Sequence, residues 1–197
     1  MEDLDGTAPA QRKAVLTRMT TPFHEAFRVL SRLDAPIVTA AHGVVAGGGL
    51  GYVYAADLVL AAESTRFVTA FGGIGLSGDG GGTWHLPRII GLGRALELML
   101  TGELVHADDA LRMGLVNRVF AHGEAADRAH AFARAIASGP PLVHRAIKRA
   151  VYAGLDGDLA AALDREATGQ LQLLASRDFA EGVTAFLQKR EPKFEGR

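Results

Sequence analysis

Residues 43–51 read GVVAGGGLG and residues 72–82 read GGIGLSGDGGG. These two segments hold half of the chain's 24 glycines. Glycine scattered along a chain suggests flexibility, whereas glycine clustered beside apolar segments indicates a backbone that turns sharply or lies close to a ligand. We therefore expect the two segments to determine both the architecture and the position of any binding site.

The sequence around the glycine clusters alternates between strand and helix patterns. Apolar residues at helical spacing predict a first helix over residues 9–33. The other predicted elements are strands over 37–41, 58–61 and 67–69, and helices from the glycine triplet to about 56 and from about 83. After residue 105 the pattern is helical, with breaks at Gly114, Gly123, Gly139-Pro140-Pro141, Gly154 and Gly157. Strands and helices alternate first and helices follow, so we predict an α/β fold with a helical C-terminal region.

The amino-acid composition and the net charge argue against several classes of function. The 197 residues are 48% hydrophobic and 22% charged, which is typical of globular proteins. A net charge of −1 gives no reason to expect nucleic acid or an anionic membrane as a partner. The chain has no cysteine, which excludes disulfides and thiolate chemistry and fits a cytoplasmic location. Residues 35–56 lack charged side chains but contain Pro36 and five glycines, so we interpret them as strand, turn and helix rather than a membrane span.

The first glycine cluster has the character of an anion-binding turn. A strand that passes through glycines into a helix leaves the first helical N–H groups without internal partners, and these donors suit negative charge. A P-loop would require Lys-Ser/Thr after the last glycine of the triplet, where Leu50-Gly51 stands. A dinucleotide fingerprint that starts at Gly47 would require a glycine at Tyr52. Both motifs are excluded, and tight strand–helix packing without a ligand is the alternative interpretation.

Four blocks in the same order resemble the crotonase (enoyl-CoA hydratase/isomerase) superfamily. The blocks are residues 35–57 with their glycine triplet, residues 67–88 with GGT at 81–83 and LPR at 86–88, residues 100–116, and residues 181–194. Each block alone is a weak signal, but four in order are specific. The resemblance implies a crotonase-like ββα spiral over residues 1–125 and a C-terminal helical trimerisation region over residues 126–197.

The resemblance also implies a chemistry. Family members bind an acyl-CoA thioester whose carbonyl oxygen lies between two backbone N–H donors, and these donors stabilise an enolate or oxyanion. The matching donor here is Gly48, beside Gly47 in the substrate site. Coenzyme A enters as part of the substrate, so no separate cofactor is expected. A homotrimer or hexamer is the expected assembly.

Two departures argue against water addition. Family hydratases carry two glutamates that position water, and this chain has Gly51 and Phe71 at the matching positions. Neither residue can transfer a proton. We expect Phe71 to line the acyl pocket, with Leu76 and Trp84 as further substrate-binding residues; core packing or a subunit contact is the alternative for Trp84.

Asp79 is the candidate catalytic group of the second glycine cluster. A turn or helix-capping aspartate is the structural alternative, since Asp favours such sites. Similar positions in relatives that resemble 4-chlorobenzoyl-CoA dehalogenase and enoyl-CoA isomerases carry an aspartate nucleophile or base. The block over residues 84–88 resembles the isomerase branch, so we expect Asp79 to move a proton between carbons of a bound acyl-CoA.

The start of the chain also differs from the family pattern. Relatives have further strands, and a loop with the second oxyanion donor, before the position of Met1. We therefore expect a spiral without its first strands, and a catalytically impaired acyl-CoA-binding paralogue is an alternative to the isomerase.

His42 has no acidic or serine partner nearby in sequence and is interpreted as a packed or turn residue. No histidine pair has the short spacing of a metal site, so no metal is predicted.

Overall fold

A computed structural model describes residues 6–197 of the chain. The chain folds into two compact units. The first comprises the N-terminal segment to Leu33 and residues 39–125, and the second comprises residues 34–38 and 126–197. The mixed α/β class that the sequence predicts is confirmed.

The first unit contains short strands and helices in alternation. Its helices are α1 (Pro9–Leu30), α2 (Leu50–Tyr54), α3 (Gly82–Ile90), α4 (Leu92–Thr101) and α5 (Ala107–Met113). The strands are β1 (Val38–Ala41), β2 (Val44–Ala46), β3 (Leu58–Ala62), β4 (Arg66–Val68), β5 (Val105–His106) and β6 (Arg118–Phe120). Two 3-10 turns, Gly47–Gly49 and Gly72–Ile74, lie within the two glycine clusters.

The six strands form two three-stranded sheets. One has the order β1-β3-β6, with β3 and β6 parallel. The other has the order β2-β4-β5, in which β2 and β4 are parallel and β4 and β5 antiparallel. The parallel pair brings the ends of β2 and β4 side by side, with Ala46 opposite Val68. The glycine triplet Gly47–Gly49 follows β2 and the second glycine cluster follows β4, so the register of this pair positions both at the carboxyl ends of neighbouring strands.

The predicted helical pattern after residue 105 did not include strands, and the structure has two short ones there. Strand β5 pairs with β4, and β6 pairs with β3 through Arg118–Phe120. Both strands are two or three residues long, too short for an alternating pattern to be visible in the sequence. Their partners on the neighbouring strands, rather than local propensity, hold them in the extended conformation.

Apolar side chains from the strands and from α2 to α5 form the core of the first unit. Phe67, Leu60 and Leu86 are almost completely buried. Thr65, also fully buried, donates its hydroxyl to the carbonyl of Ala41 at 3.1 Å and so connects the β3–β4 turn to β1. The core therefore fixes the strand ends from which the glycine clusters emerge.

The second unit is helical apart from its first segment. Its helices are α6 (Ala125–Ala137), α7 (Pro141–Gly154), α8 (Leu159–Leu174) and α9 (Arg177–Gln188). Asp158 and Ser176 cap α8 and α9 by accepting hydrogen bonds from the N–H groups of Ala161 and Phe179. Within residues 6–197, none of the helices combines the length and the apolar character that a membrane crossing would require.

Candidate active site

The first glycine cluster forms a turn between β2 and α2. Gly47 has φ +51°, a left-handed conformation that favours glycine. A Cβ atom at Gly47 would lie 3.5 Å from the ring of Phe71, and one at Gly48 would lie 3.2 Å from the ring of Phe23. The backbone of this turn is therefore flanked by two aromatic rings, one from the second glycine segment and one from α1.

The second glycine segment is held in place by the end of α4. The hydroxyl of Thr69, which is buried, donates to the carbonyl of Leu98 at 2.9 Å. The next residue, Ala70, has φ +60°, and the N–H of Phe71 donates to the carbonyl of Thr69 at 2.8 Å across it. A left-handed conformation is strained for alanine and persists because its surroundings enforce it. This tight turn directs the ring of Phe71 onto Gly47.

Asp79 stands at the far end of the same segment and is held by two hydrogen bonds. Its Oδ1 accepts the N–H of Gly80 at 2.7 Å and is also bonded to Nε2 of His24 on α1. The side chain of Asp79 is 24% exposed and that of His24 is 43% exposed. The carboxylate thus turns towards α1. The bond to Gly80 is the turn-stabilising contact expected of an aspartate in such a loop, and the bond to His24 goes beyond it.

The two glycine segments meet at Gly80 and Gly51. A Cβ atom at Gly80, which has φ +60°, would lie 2.9 Å from the Cα of Gly51 and 3.6 Å from the ring of Phe23. The ring of Phe23 therefore borders both Gly48 and Gly80. This places the loop of Asp79 against the start of α2 and brings together the two segments that carry the predicted donor and the predicted base.

The remaining predicted site residues lie at the surface of the first unit. Leu76 is 38% exposed and Trp84 is 41% exposed, so Trp84 is not a core residue. The guanidinium of Arg88 lies 4.1 Å from the centre of the Trp84 ring, and His85 packs edge-on against the same ring at 4.6 Å. The cation–π contact fixes the indole at the start of α3 and leaves part of it accessible.

Two titratable groups lie directly behind the loop of Asp79. Burial raises the pKa of Tyr54 to about 12, so its hydroxyl is neutral at physiological pH. Burial, and then the positive charge of Arg88, lower the pKa of His85. The two rings stack with centroids 6.4 Å apart, and a Cβ atom at Gly82 would lie 3.0 Å from Tyr54. Both side chains are therefore packing partners of the glycine loop.

His24 was not among the residues that the sequence singled out. It lies 55 residues before Asp79, and no motif links the two positions. The one sequence signal was its place on the predicted first helix beside Phe23, which belongs to the apolar stripe of that helix. Among residues 6–197 no three His, Cys, Asp or Glu side chains are grouped so that they could hold a metal ion.

Comparison with known proteins gives the family. The sequence model of the enoyl-CoA hydratase/isomerase family matches residues 3–197. A probable enoyl-CoA hydratase of Rhodobacter capsulatus is 39% identical over 98% of this chain and 75% of its own length. The 1,2-epoxyphenylacetyl-CoA isomerase of Escherichia coli K12 is 37% identical over 99% of this chain and 74% of its own length.

Solved structures show the same fold. The enoyl-CoA hydratase of Bacillus anthracis superimposes with a TM-score of 0.92 at 30% identity, covering 100% of this chain and 75% of that one. The sequence match and the structural match extend over the same residues, from the N-terminal helix to the last residues of the second unit. The chain belongs to the enoyl-CoA hydratase/isomerase family, the crotonase superfamily.

Proposed function

We propose that this protein is an acyl-CoA isomerase that shifts a double bond by proton transfer on a coenzyme A thioester. The observation that carries the proposal is the position of the Asp79 carboxylate, which is paired with His24 in a loop that packs against the start of α2. The names of relatives support the wider class: they include hydratases, an epoxyphenylacetyl-CoA isomerase and a trans-2-decenoyl-[acyl-carrier-protein] isomerase.

The proposed reaction has two proton transfers. With a 3-enoyl-CoA, the carboxylate of Asp79 takes a proton from C2, and the electron pair of that C–H bond moves onto the thioester carbonyl oxygen, which gives an enolate conjugated with the C3=C4 double bond. The resulting enolate oxygen accepts a hydrogen bond from the N–H of Gly48, a contribution typically worth a few kcal/mol in the transition state. Asp79 then returns the proton to the carbon at the other end, so the acyl group keeps its composition.

The surrounding residues have supporting roles in this proposal. His24 holds the carboxylate in one orientation through its Nε2. Phe71, whose ring borders Gly47, lines the acyl pocket, and Leu76 and Trp84 bind the exposed part of the substrate. Acid–base transfer by a positioned side chain typically contributes 10²–10⁴-fold to the rate. A homotrimer or hexamer in the cytoplasm remains the expected setting of the enzyme.

Hydrogen exchange tests the role of Asp79. The protein is incubated in D₂O with a 3-enoyl-CoA, and NMR follows both the position of the double bond and deuterium entry at the terminal allylic carbons. We expect isomerisation in the parent, with deuterium entering only to the extent that the proton held by Asp79 exchanges with solvent before its return, and a loss of at least 100-fold in Asp79→Asn, since Asn cannot accept the proton. The exposed surface residue Asp127 offers a matched control, Asp127→Asn, which should retain the parent rate.

A second candidate function is suggested by the same pair. A carboxylate within hydrogen-bond reach of a histidine is also the arrangement of a nucleophile with a base. Two 4-chlorobenzoyl coenzyme A dehalogenases of Arthrobacter are 31% identical to this chain over 60% of their own length. In that case Asp79 would displace the halide of a halogenated acyl-CoA and form an ester with the carbon that carried it, which rapid quenching and mass spectrometry would detect as a mass increase on the peptide that contains residue 79. Turnover that is retained in Asp79→Asn, together with no adduct on the parent, would reject both roles for Asp79.

A further inference from the structure

Gly51 is a helical residue for which the surroundings leave no side-chain space. It is buried in α2, and its φ is not in the left-handed region, so the backbone would accept any residue. A Cβ atom at this position would lie 2.5 Å from Cζ, 2.8 Å from Cε2 and 3.2 Å from Cε1 of Phe27. Distances this short to three atoms of one ring mean that the ring itself would have to move. Glycine is therefore required at position 51 by Phe27 and not by the turn.

The ring of Phe27 is partly buried and is held on two sides by other rings. Its ring packs edge-to-face against Phe23 with centroids 4.7 Å apart and against Tyr52 at 5.2 Å. Edge-to-face pairs at these distances are favourable, so a displaced ring would lose contacts on both sides. Phe23 is itself packed against Gly48 and Gly80, so the three rings form one aromatic group over the glycine segments. We call Phe23, Phe27 and Tyr52 the aromatic cluster.

The same helix face supplies the polar partner of Asp79. His24 precedes Phe27 by three residues on α1, so both side chains lie on one side of the helix. One face of α1 therefore contributes a histidine beside Asp79 and a phenyl ring over Gly51. This face of α1 therefore accommodates the carboxylate of Asp79, and its phenyl ring leaves no space for a second carboxylate on residue 51.

We propose that Phe27 is a specificity-determining residue that limits the site to proton transfer. Its ring occupies the volume into which a side chain at position 51 would project. An acidic side chain therefore cannot stand at that position and orient a water molecule towards the acyl group. This inference rests on the proposed isomerase function. The reaction it excludes is addition of water, in which the hydroxyl joins the β-carbon and a proton joins the α-carbon of the enoyl group.

A double-mutant cycle of thermal stability, here called the stability cycle, tests the steric part of the inference without any substrate. Gly51→Ala should lower the thermal midpoint of the parent by about 5 °C or more, because a clash of this kind strains a packed site. In a Phe27→Ala background the same substitution should be neutral or stabilising, since alanine favours a helix more than glycine does. Gly49→Ala is the matched control, because its Cβ atom would lie 4.0 Å from Val45 and is free in both backgrounds.

Product analysis tests the functional part. With a 2-enoyl-CoA, the ratio of 3-hydroxyacyl-CoA to isomerised product should rise at least tenfold in Phe27→Ala/Gly51→Glu and stay at the parent value in Phe27→Ala/Gly51→Gln. If Phe27→Ala does not fold, Phe27→Val is used in both cycles. Equal effects of Gly51→Ala in both backgrounds would overturn the steric claim. An unchanged product ratio with isomerisation retained would overturn the specificity claim.

The outcomes separate this inference from the proposed function. A parent that neither isomerises nor hydrates enoyl-CoA would reject the isomerase proposal, and the specificity claim would fall with it. The stability cycle would still report whether Phe27 determines the residue at position 51.

Discussion

Nε2 of His24 is hydrogen-bonded to Oδ1 of Asp79, although 55 residues separate the two side chains in the sequence. The contact joins α1 to the loop that precedes α3. The same oxygen accepts the N–H of Gly80, so the carboxylate is held from the helix and from its own backbone at once. A group held at two points keeps one orientation towards a bound substrate, which is what proton transfer between two carbons of one acyl chain requires.

Loss of the histidine should reduce turnover more than binding. His24→Ala removes the contact from α1 and leaves the carboxylate in place, so we expect kcat for isomerisation to fall about 10–100-fold with KM changed less than threefold. His24→Gln keeps a side-chain N–H donor and should recover part of the rate. Steady-state kinetics with a 3-enoyl-CoA measure both constants. A parallel loss in KM would instead indicate that His24 binds the substrate.

The contact between the two glycine segments should be sensitive to a single methyl group. Gly80→Ala places a Cβ atom 2.9 Å from the backbone of Gly51, in a left-handed conformation, so it should cost about 1–3 kcal/mol of unfolding free energy. Gly73→Ala meets no atom within 4 Å and should be neutral or slightly stabilising. Urea unfolding of both variants measures the difference. Equal stabilities would mean that the two segments do not pack as described.

The lowered pKa of His85 predicts a pH-dependent stability. The unfolded chain, with a histidine pKa near 6.5, binds the proton before the folded protein does. The contribution of His85 is therefore fully present above pH 6.5 and declines as the pH falls towards the lower pKa of the folded state. Urea unfolding from pH 8 to pH 5 should show a smaller loss of stability in His85→Gln than in the parent. Identical slopes would show that His85 is not desolvated.

The C-terminal residues of the second unit should depend on one buried carboxylate. Asp178 is 3% exposed, and its two oxygens accept the N–H groups of Glu195 and Gly196 at 2.7 and 2.9 Å. Asp178→Ala leaves both donors without this partner and should cost about 2–3 kcal/mol. It should also make residues 195–197 accessible to carboxypeptidase, as followed by mass spectrometry. Asp127→Ala, an exposed position on α6, is the control and should be digested at the parent rate.

The glycine clusters could be interpreted from the sequence because the backbone conformation that favours glycine there is local. A left-handed turn favours glycine through the backbone conformation itself, and Gly47, Gly80 and Gly81 adopt such conformations. The mixed α/β class followed from the alternation of patterns around them. The sequence could not distinguish these glycines from Gly51, whose requirement comes from a ring 24 positions earlier on another helix.

Residues that meet through the fold alone escaped prediction. His24 has no sequence motif, and its partner is identified only when α1 packs beside the second glycine segment. The short strands β5 and β6 are extended because β4 and β3 are adjacent, and their own two or three residues carry too little pattern to show it. Trp84 is large and apolar, which made a core position one alternative, but Arg88 covers its face at the surface.

The position of Phe23 has a consequence for how the site can change over evolution. Its ring borders Gly48 on one side and Gly80 on the other, so it acts as a shared spacer between two turns that are far apart in the chain. A Cβ atom added at position 48 would meet this ring at 3.2 Å, whereas one added at position 80 would meet the backbone of Gly51 first, at 2.9 Å. Descendants that carry a side chain at position 48 should therefore acquire a smaller residue at position 23 first.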